Sequence, residues 1–496
     1  MPDGQKKKFL ELAKQGNLIP VYREILADLD TPVSAYMKLD AHPSFLLESV
    51  EGGEKWARYS FLGIRPSMII RGFGRTLEIE EGGRKRTQET DDPVGFLRQV
   101  MSGFRPVEAE GLPRFFGGLV GYLGYDMVRF MEDLPESNAQ GIGMPDMYLM
   151  LTDTLLIFDS LRQTIKVVCN VHLDGGDPAE SYEQAIEKIN EIIDTLKRPL
   201  TYEAGGVIMP EGLERPDEST FVSAFGPKKK YMEAVERVKE YIKAGDIFQC
   251  VPSQRFERRS QVRPFDVYRA LRVINPSPYM YFLDTGEGEI VGSSPEILVR
   301  LEGDEITLRP IAGTRKRGRN EAEDLSLEKE LKADPKEKAE HIMLVDLGRN
   351  DVGRVAEVGT VKVSDLMVVE RYSHVMHMVS NVVGKIQKGL DSFDVLNACF
   401  PAGTVTGAPK IRAMEIINEI EPTRRGAYAG SVGYFGYSGN MDTCITIRTL
   451  IIKDGTVYAQ AGGGVVADSV PDSEYQETVN KAMSMMRAVE MAERGL

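Results

Sequence analysis

Residues 443–461 read Thr443-Cys-Ile-Thr-Ile-Arg-Thr-Leu-Ile-Ile452, then Lys453-Asp454-Gly455-Thr456, then Val457-Tyr-Ala-Gln-Ala461. Two apolar, β-branched runs hinged on Asp-Gly are a hairpin signal, because the tight turn needs positive φ and its twist matches antiparallel strands. The same grammar appears between Leu155 and Val171, where Asp-Ser-Leu-Arg-Gln parts two apolar runs. Gly286 to Val299 and Leu301 to Ile311 read as further sheet segments joined by turns. Helical periods lie between these clusters. From Asp177 to Lys197 the residues Tyr182, Ala185, Ile189, Ile192 and Leu196 recur at helical spacing, with Pro178 in the first turn and Pro199 past the end. A second helix spans about Lys228 to Ala244, striped by Tyr231, Val235 and Val238 and stopped by Gly245. A third, Ser473 to Ala492, carries Val479, Ala482, Met483, Met486 and Val489 on one side. Strands and helices come in clusters instead of strict βαβ alternation, which predicts an α+β fold with large antiparallel sheets. The Pro- and Gly-rich stretch 199–220 reads as a linker between an N-terminal unit (15–200) and a C-terminal one (221–490).

Composition narrows the possible functions. The chain has 496 residues, 42% hydrophobic and 27% charged, as expected of a globular protein with a sizeable core. Sixty-one Lys and Arg against 75 Asp and Glu give a net charge of −14, which disfavours nucleic acid and anionic membrane as partners. The longest uncharged stretch, Gly426 to Met441, is glycine-rich and shorter than the roughly 20 residues a span requires. No secretory h-region develops after Lys6, Lys7 and Lys8. Cys169, Cys250, Cys399 and Cys444 are far apart and form no CxxC, so disulfides and a zinc site are not expected and a cytoplasmic location is.

Three motifs fail on inspection. Ala429-Gly-Ser431-Val-Gly433 resembles a nucleophile elbow, but the last histidine is His377, so the order serine, acid, histidine is impossible. Gly403 to Lys410 looks like a phosphate loop, yet Ala408-Pro409 stands where Lys-Ser belongs. His374 and His377 at i, i+3 lack a third histidine or cysteine nearby to complete a zinc site.

Charged groups beside glycine and proline are another matter, since an apolar core wants neither. Six such segments follow in order: Ile247-Phe-Gln249-Cys-Val-Pro-Ser-Gln-Arg-Phe256; Ser293-Ser-Pro-Glu296-Ile-Leu; Pro310-Ile-Ala312-Gly313-Thr314-Arg315; Glu340-His to Asp351; Phe400-Pro-Ala-Gly403-Thr404 to Lys410; and Gln476-Glu477-Thr-Val-Asn-Lys481. The final helix sets Glu474, Glu477 and Lys481 on one face. Two carboxylates there, with helix-borne Glu340, suit Mg2+, which prefers oxygen ligands and keeps several waters. Gly462-Gly463-Gly464 follows a strand and lets an anion approach backbone N–H groups, while Arg448 offers a bidentate grip for a carboxylate. Taken alone, the acids also fit a solvated helix face and the glycines a turn or bulge. Arg315 to Arg319, followed at once by acids, reads as a solvated loop near the site.

Together the six segments resemble the chorismate-binding enzymes and, within them, the branch of anthranilate synthase large subunits (component I), over roughly residues 15–490. The resemblance implies two large antiparallel sheets forming a sandwich-like core flanked by helices. It implies a Mg2+-dependent lyase that forms anthranilate and pyruvate from chorismate and ammonia. It also implies the roles: Glu340 and Glu477 as metal ligands with Glu474 close by; Gly313, Thr314, Thr404, Tyr428, Arg448, Gly462, Gly463 and Gly464 on chorismate; Glu296 as general acid; and His377, Gln249 and Lys481 in the catalytic set. Relatives that add water carry lysine at the Gln249 position, and aminodeoxychorismate synthases carry lysine at the Ala312 position. Both departures point to ammonia attacking C2, with aminodeoxychorismate formation, or a non-catalytic tryptophan sensor, as the alternatives. None of the four cysteines has the Gly-x-Cys-x-Gly setting of a glutamine amidotransferase, so a separate glutaminase subunit (component II) is the expected partner. Leu46-Leu-Glu-Ser49 and Asn275-Pro-Ser-Pro278-Tyr279-Met280 resemble the family's feedback site, which implies tryptophan bound by Ser49, Pro278, Tyr279 and Met280. The one tryptophan of the chain, Trp56, would hardly report on it.

Overall fold

The computed structural model describes residues 2–49, 58–108, 110–136, 139–200, 216–217, 220–372 and 375–495. Trp56, His374 and most of the 199–220 linker lie outside the described residues. Two large antiparallel sheets face each other. Across the first run, in spatial order, Leu18–Leu26, Thr164–His172, Thr154–Asp159, Tyr59–Ile64, Ser44–Glu48, Tyr279–Asp284, Glu289–Ser294, Thr449–Lys453, Thr456–Gly462, Ser253–Arg259 and Val222–Ser223. The second runs from Ile311–Lys316 through Val375–Lys385, Glu305–Leu308, Ile297–Glu302, Met441–Ile445, Ser431–Gly436, Gly118–Leu123 and Met147–Thr152 to the hairpins at 68–89. Strands from before and after the 199–220 segment lie side by side in both sheets: Leu47 is opposite Tyr281, and Val432 is opposite Tyr122.

Period-2 alternation decides which side chains meet between the sheets. Phe45, Tyr281, Leu283 and Ile290 join Leu119, Tyr122 and Phe435 in the interior of the sandwich. Their neighbours Leu46, Phe282 and Val291 point the other way, under the helices Pro178–Leu196, Pro264–Ile274 and Pro471–Arg494. The last of these is 24 residues, about 36 Å. It buries Val479, Ala482, Met483, Met486 and Val489. Each of the valines and methionines contributes about 1.5–3 kcal/mol on burial, so this face fixes where the opposite, acidic face lies.

Local readings hold where a cap or a period dictates them. Pro178–Leu196 starts on an Asp177 N-cap, and Lys228–Ala244 ends on Gly245 at φ 85°. Two stretches differ. Residues 443–452 are not one strand: Met441–Ile445 belongs to the second sheet and Thr449–Lys453 to the first. The chain crosses between them at 446–448, with Arg448 at φ 51°, so Arg448 lies on a crossover and not on a strand. The 286–311 segment likewise breaks at Pro295-Glu296, because the pairing of Ile297–Glu302 is to the opposite sheet. The Asp454-Gly455 hairpin forms as read, joining Thr449–Lys453 to Thr456–Gly462.

Candidate active site

The strand Thr456–Gly462 ends on the first glycine of the triglycine, and the other two run past the acidic face of the last helix. A Cβ on Gly463 would stand 3.1 Å from Glu474 Oε2 and 3.9 Å from Glu477 Cδ; one on Gly464 would stand 2.7 Å from Gln249 Nε2 and 3.9 Å from Glu340 Oε1. A Cβ at either position would thus meet the ends of these side chains and have to displace them. The expectation of free N–H donors is corrected at Gly463, whose N–H donates to Pro252 O at 3.2 Å. Gln249 is buried and donates to Glu340 Oε1 at 3.1 Å. Glu340 projects from the helix Pro335–Gly353, so carboxylates of two helices meet across three glycines. Burial first, and the charges of Glu337 and Glu477 after it, raise the Glu340 pKa. Glu474 is likewise raised by burial and by Glu477, and its Oε2 is buried without a hydrogen-bond partner among the described residues.

Lys481 links this corner to the acid. Its Nζ lies 2.6 Å from Glu477 Oε1 and donates to Gly462 O at 3.0 Å, and its charge is felt at Glu296. Glu296 is buried, at the strand break that follows Pro295. Burial pushes its pKa up to about 8, against the tempering effects of the Thr404 hydroxyl, the Ile311 backbone and Lys481. Arg448 is half-buried and, among the described residues, has no carboxylate within ion-pair distance. Its charge is felt at Tyr428 and at His377. A left-handed backbone at a non-glycine residue stores strain of about 1–3 kcal/mol, as functional positions often do. His377 Nδ1 sits 3.0 Å from Thr314 Oγ1 and 3.3 Å from Gly313 O, and burial first, then Arg448, lowers its pKa. Gly313 itself is at φ 67°, with Leu331 and Glu337 crowding any Cβ. Ala312 is buried in the strand beside Met378.

Among the described residues no three His, Cys, Asp or Glu side chains form a ready-made metal shell. That is not what Mg2+ asks for: it is usually held by one or two carboxylates, completed by waters and substrate oxygens. The donor set of Glu340 and Glu477, with the orphaned Glu474 oxygen beside them, fits such an ion.

A family profile described as chorismate binding enzyme matches residues 43–487. The chain belongs to the chorismate-binding enzyme family. It is 50% identical over 485 residues to "Anthranilate synthase component 1" of Aquifex aeolicus, covering 97% of both chains. It is 48% identical over 499 residues to the protein of that name from Pseudomonas aeruginosa, covering 99% of both. Among solved structures it resembles anthranilate synthase component I from Streptococcus pneumoniae at 39% identity, TM-score 0.74, covering 93% of this chain and 98% of that one. The menaquinone-specific isochorismate synthase of Escherichia coli shares the fold at 20% identity, TM-score 0.70, with 98% of each chain covered.

In this chorismate-binding enzyme the discarded motifs have structural roles. Lys410 is not free for a phosphate: its Nζ pairs with Asp351 at 2.8 and 2.9 Å. Ser431 opens a buried strand, and all four cysteines are free and buried. The solvated-loop reading of 315–319 is corrected. Arg315 lies in the strand Ile311–Lys316 and bridges Glu330, Asp334 and Glu337 at 2.9–3.0 Å, while Arg317 grips Asp324 at 2.6 Å. Among the described residues no helix is long and apolar enough to cross a membrane.

A second cavity, about 550 Å3, opens where Ser44–Glu48 pairs with Tyr279–Asp284. Ser49, Pro278, Tyr279 and Met280 all line it. Sequence reading missed Arg300 and Asp442 in its wall, 2.8 Å apart, with the Tyr279 hydroxyl donating to Asp442 at 2.9 Å. Both come from the second sheet, and no local signal marks them.

Proposed function

We propose that this chain is the large subunit of an anthranilate synthase, a lyase that converts chorismate and ammonia to anthranilate and pyruvate in tryptophan biosynthesis. The observation that carries the reading is the meeting of Glu340 with Glu474 and Glu477 at Gly463-Gly464, in one site with Arg448, His377 and a neutral Glu296. Mg2+ would be held by Glu340 and Glu477, and when bound it supplies positive charge to one substrate carboxylate. Arg448, with no carboxylate paired to it among the described residues, takes the other in bidentate fashion.

Ammonia adds at C2 as the C4 hydroxyl departs. A carboxyl with its pKa near 8 is protonated at neutral pH, so Glu296 donates the proton that makes this hydroxyl leave as water. Lys481 then lies near the carboxylate left behind. His377 is a neutral imidazole; the Gly313 carbonyl facing Nδ1 accepts from it, which keeps Nε2 open as a proton acceptor. Loss of the C2 proton and of pyruvate completes the aromatic ring. Gln249 cannot deprotonate water and instead orients Glu340, and Ala312 offers no amine for a covalent adduct. Both favour an external ammonia nucleophile over the aminodeoxychorismate route.

Ammonia comes from a separate glutamine amidotransferase subunit in this reading, since every cysteine here is buried and so unsuited to nucleophilic work. The second cavity is the feedback site for L-tryptophan. Its size suits one amino acid, and it offers aromatic walls beside charged groups. The purified chain with chorismate, Mg2+ and an ammonium salt at mildly alkaline pH tests the whole. Fluorescent anthranilate and equimolar pyruvate are expected; 4-amino-4-deoxychorismate, or chorismate left unchanged, would refute it.

A further inference from the structure

The helix Lys410–Ile420 ends at Glu421, and four residues on stands Arg425; both are buried, at 8% and 4% exposure. Arg425 donates through Nε and Nη2 to Glu421 at 3.0 and 2.6 Å, through Nη1 to Val405 O at 2.7 Å and through Nη2 to Val251 O at 2.7 Å. Glu421 Oε1 in turn accepts from the Ser253 N–H at 2.7 Å and from its hydroxyl at 2.9 Å. The guanidinium also lies over the rings of Tyr125 and Tyr428, 4.7 and 5.6 Å from their centroids.

Apart from Tyr125, these contacts end on segments of the site. Val405 follows Thr404, and Val251 lies two residues after Gln249. Ser253 pairs in the sheet with Gly462, whose neighbour Gly463 is bonded to Pro252. Tyr428 packs at Gly462, its hydroxyl 3.0 Å from where a Cβ would be. A buried ion pair gains little stability over apolar residues of the same volume, so stability is a poor reason for this one. A fork with fixed geometry, by contrast, sets three peptide segments at fixed separations.

We propose that Arg425, held by Glu421, is a positioning residue that sets the distances between the 249–253 segment, the 403–407 segment and the Tyr428–Gly462 corner, and thereby the affinity of the cleft for chorismate. The proposal rests on the reading of this cleft as the chorismate site. Lysine can keep the charge at 425 but cannot donate to Glu421, Val405 and Val251 in one plane.

The test compares wild type, Arg425→Lys, Arg425→Met and the double variant Arg425→Met/Glu421→Leu for melting temperature and for KM and kcat in ammonia-dependent anthranilate formation, well below the lowest melting temperature. Arg425→Lys should raise the chorismate KM about tenfold or more, with a smaller change in kcat. The apolar double variant should melt above Arg425→Met alone, short of wild type because Val405 O, Val251 O and the Ser253 N–H lose their partners, and should keep the raised KM. A double variant with the wild-type KM would show a merely structural pair and overturn the proposal. Should the double variant not fold, an unchanged KM in Arg425→Lys overturns it alone. A wild-type enzyme without activity would instead remove the reading of the cleft, and the proposal with it.

Discussion

In the proposed reaction Glu296 and His377 take opposite jobs, and burial acts on both. The same loss of water raises the carboxyl towards neutrality and keeps the imidazole uncharged, so the pair begins as acid and base at pH 7. If Glu296 is the acid, turnover with saturating ammonia should fall as pH rises through about 8, about tenfold per unit beyond it. Glu296→Gln should lose about 10²- to 10⁴-fold in kcat and with it that alkaline limb; a limb that persists in the variant would assign it elsewhere. Linkage gives a second readout. A carboxyl whose folded pKa is raised contributes stability that is full below its unfolded value and is lost as pH rises through about 8. Glu296→Gln should therefore melt higher than wild type at pH 8, by an effect on the order of a few kcal/mol at most, with the gain vanishing in acid. Ala312→Lys should cut anthranilate formation at least about tenfold, and product analysis by chromatography would reveal an unchanged rate if the branch argument is wrong. At this scale the sequence was legible through residue type: a carboxyl after Ser-Pro and a glutamine where others have lysine carry their chemistry wherever they sit. The Gln249–Glu340 bond, the spent Gly463 N–H and the Arg315 bridges were not legible, since each depends on a partner brought in by the fold.

At the scale of elements, the site is a product of where strands stop. The final helix was readable from its apolar period, and its acidic face follows as the remainder. The crossover at 446–448 was not, because Thr443 to Ile452 keeps strand-forming residues on both sides of Arg448 while the chain passes from one sheet to the other. Only the left-handed Arg448 marks the corner, and φ cannot be read from an arginine. The triglycine gives a prediction at this level. Gly464→Ala would place a methyl 2.7 Å from Gln249 Nε2 and displace the amide that orients Glu340. Loss of such a supporting bond typically costs about 10- to 100-fold in metal affinity. The Mg2+ concentration for half-maximal activity should rise accordingly; a Mg2+ titration unchanged in the variant would separate Gln249 from metal binding.

For the whole molecule, the order of strands is what no local pattern contained. Ser44–Glu48 lies beside Tyr279–Asp284 although more than 200 residues separate them, and the second cavity exists because of that pairing. Its far wall is built on Ile297–Glu302 and Met441–Ile445, and Ile445 N–H donates to Glu296 O at 3.0 Å. An effector bound in the cavity would touch strands that end at Glu296, the proposed acid. L-Tryptophan should raise the melting temperature of the chain and inhibit turnover, and Ser49→Tyr, which intrudes on the cavity wall, should abolish both while sparing activity without tryptophan. Inhibition that survives in Ser49→Tyr would place the effector elsewhere. The central claim, that acids from two helices hold one ion and one dicarboxylate at Gly463-Gly464, is tested most directly by anomalous diffraction from crystals soaked with Mn2+ and chorismate. The account predicts a single strong peak between the Glu340 and Glu477 carboxylates, with one chorismate carboxylate in its shell and the other on Arg448. A peak elsewhere, or chorismate bound away from Arg448, would contradict it.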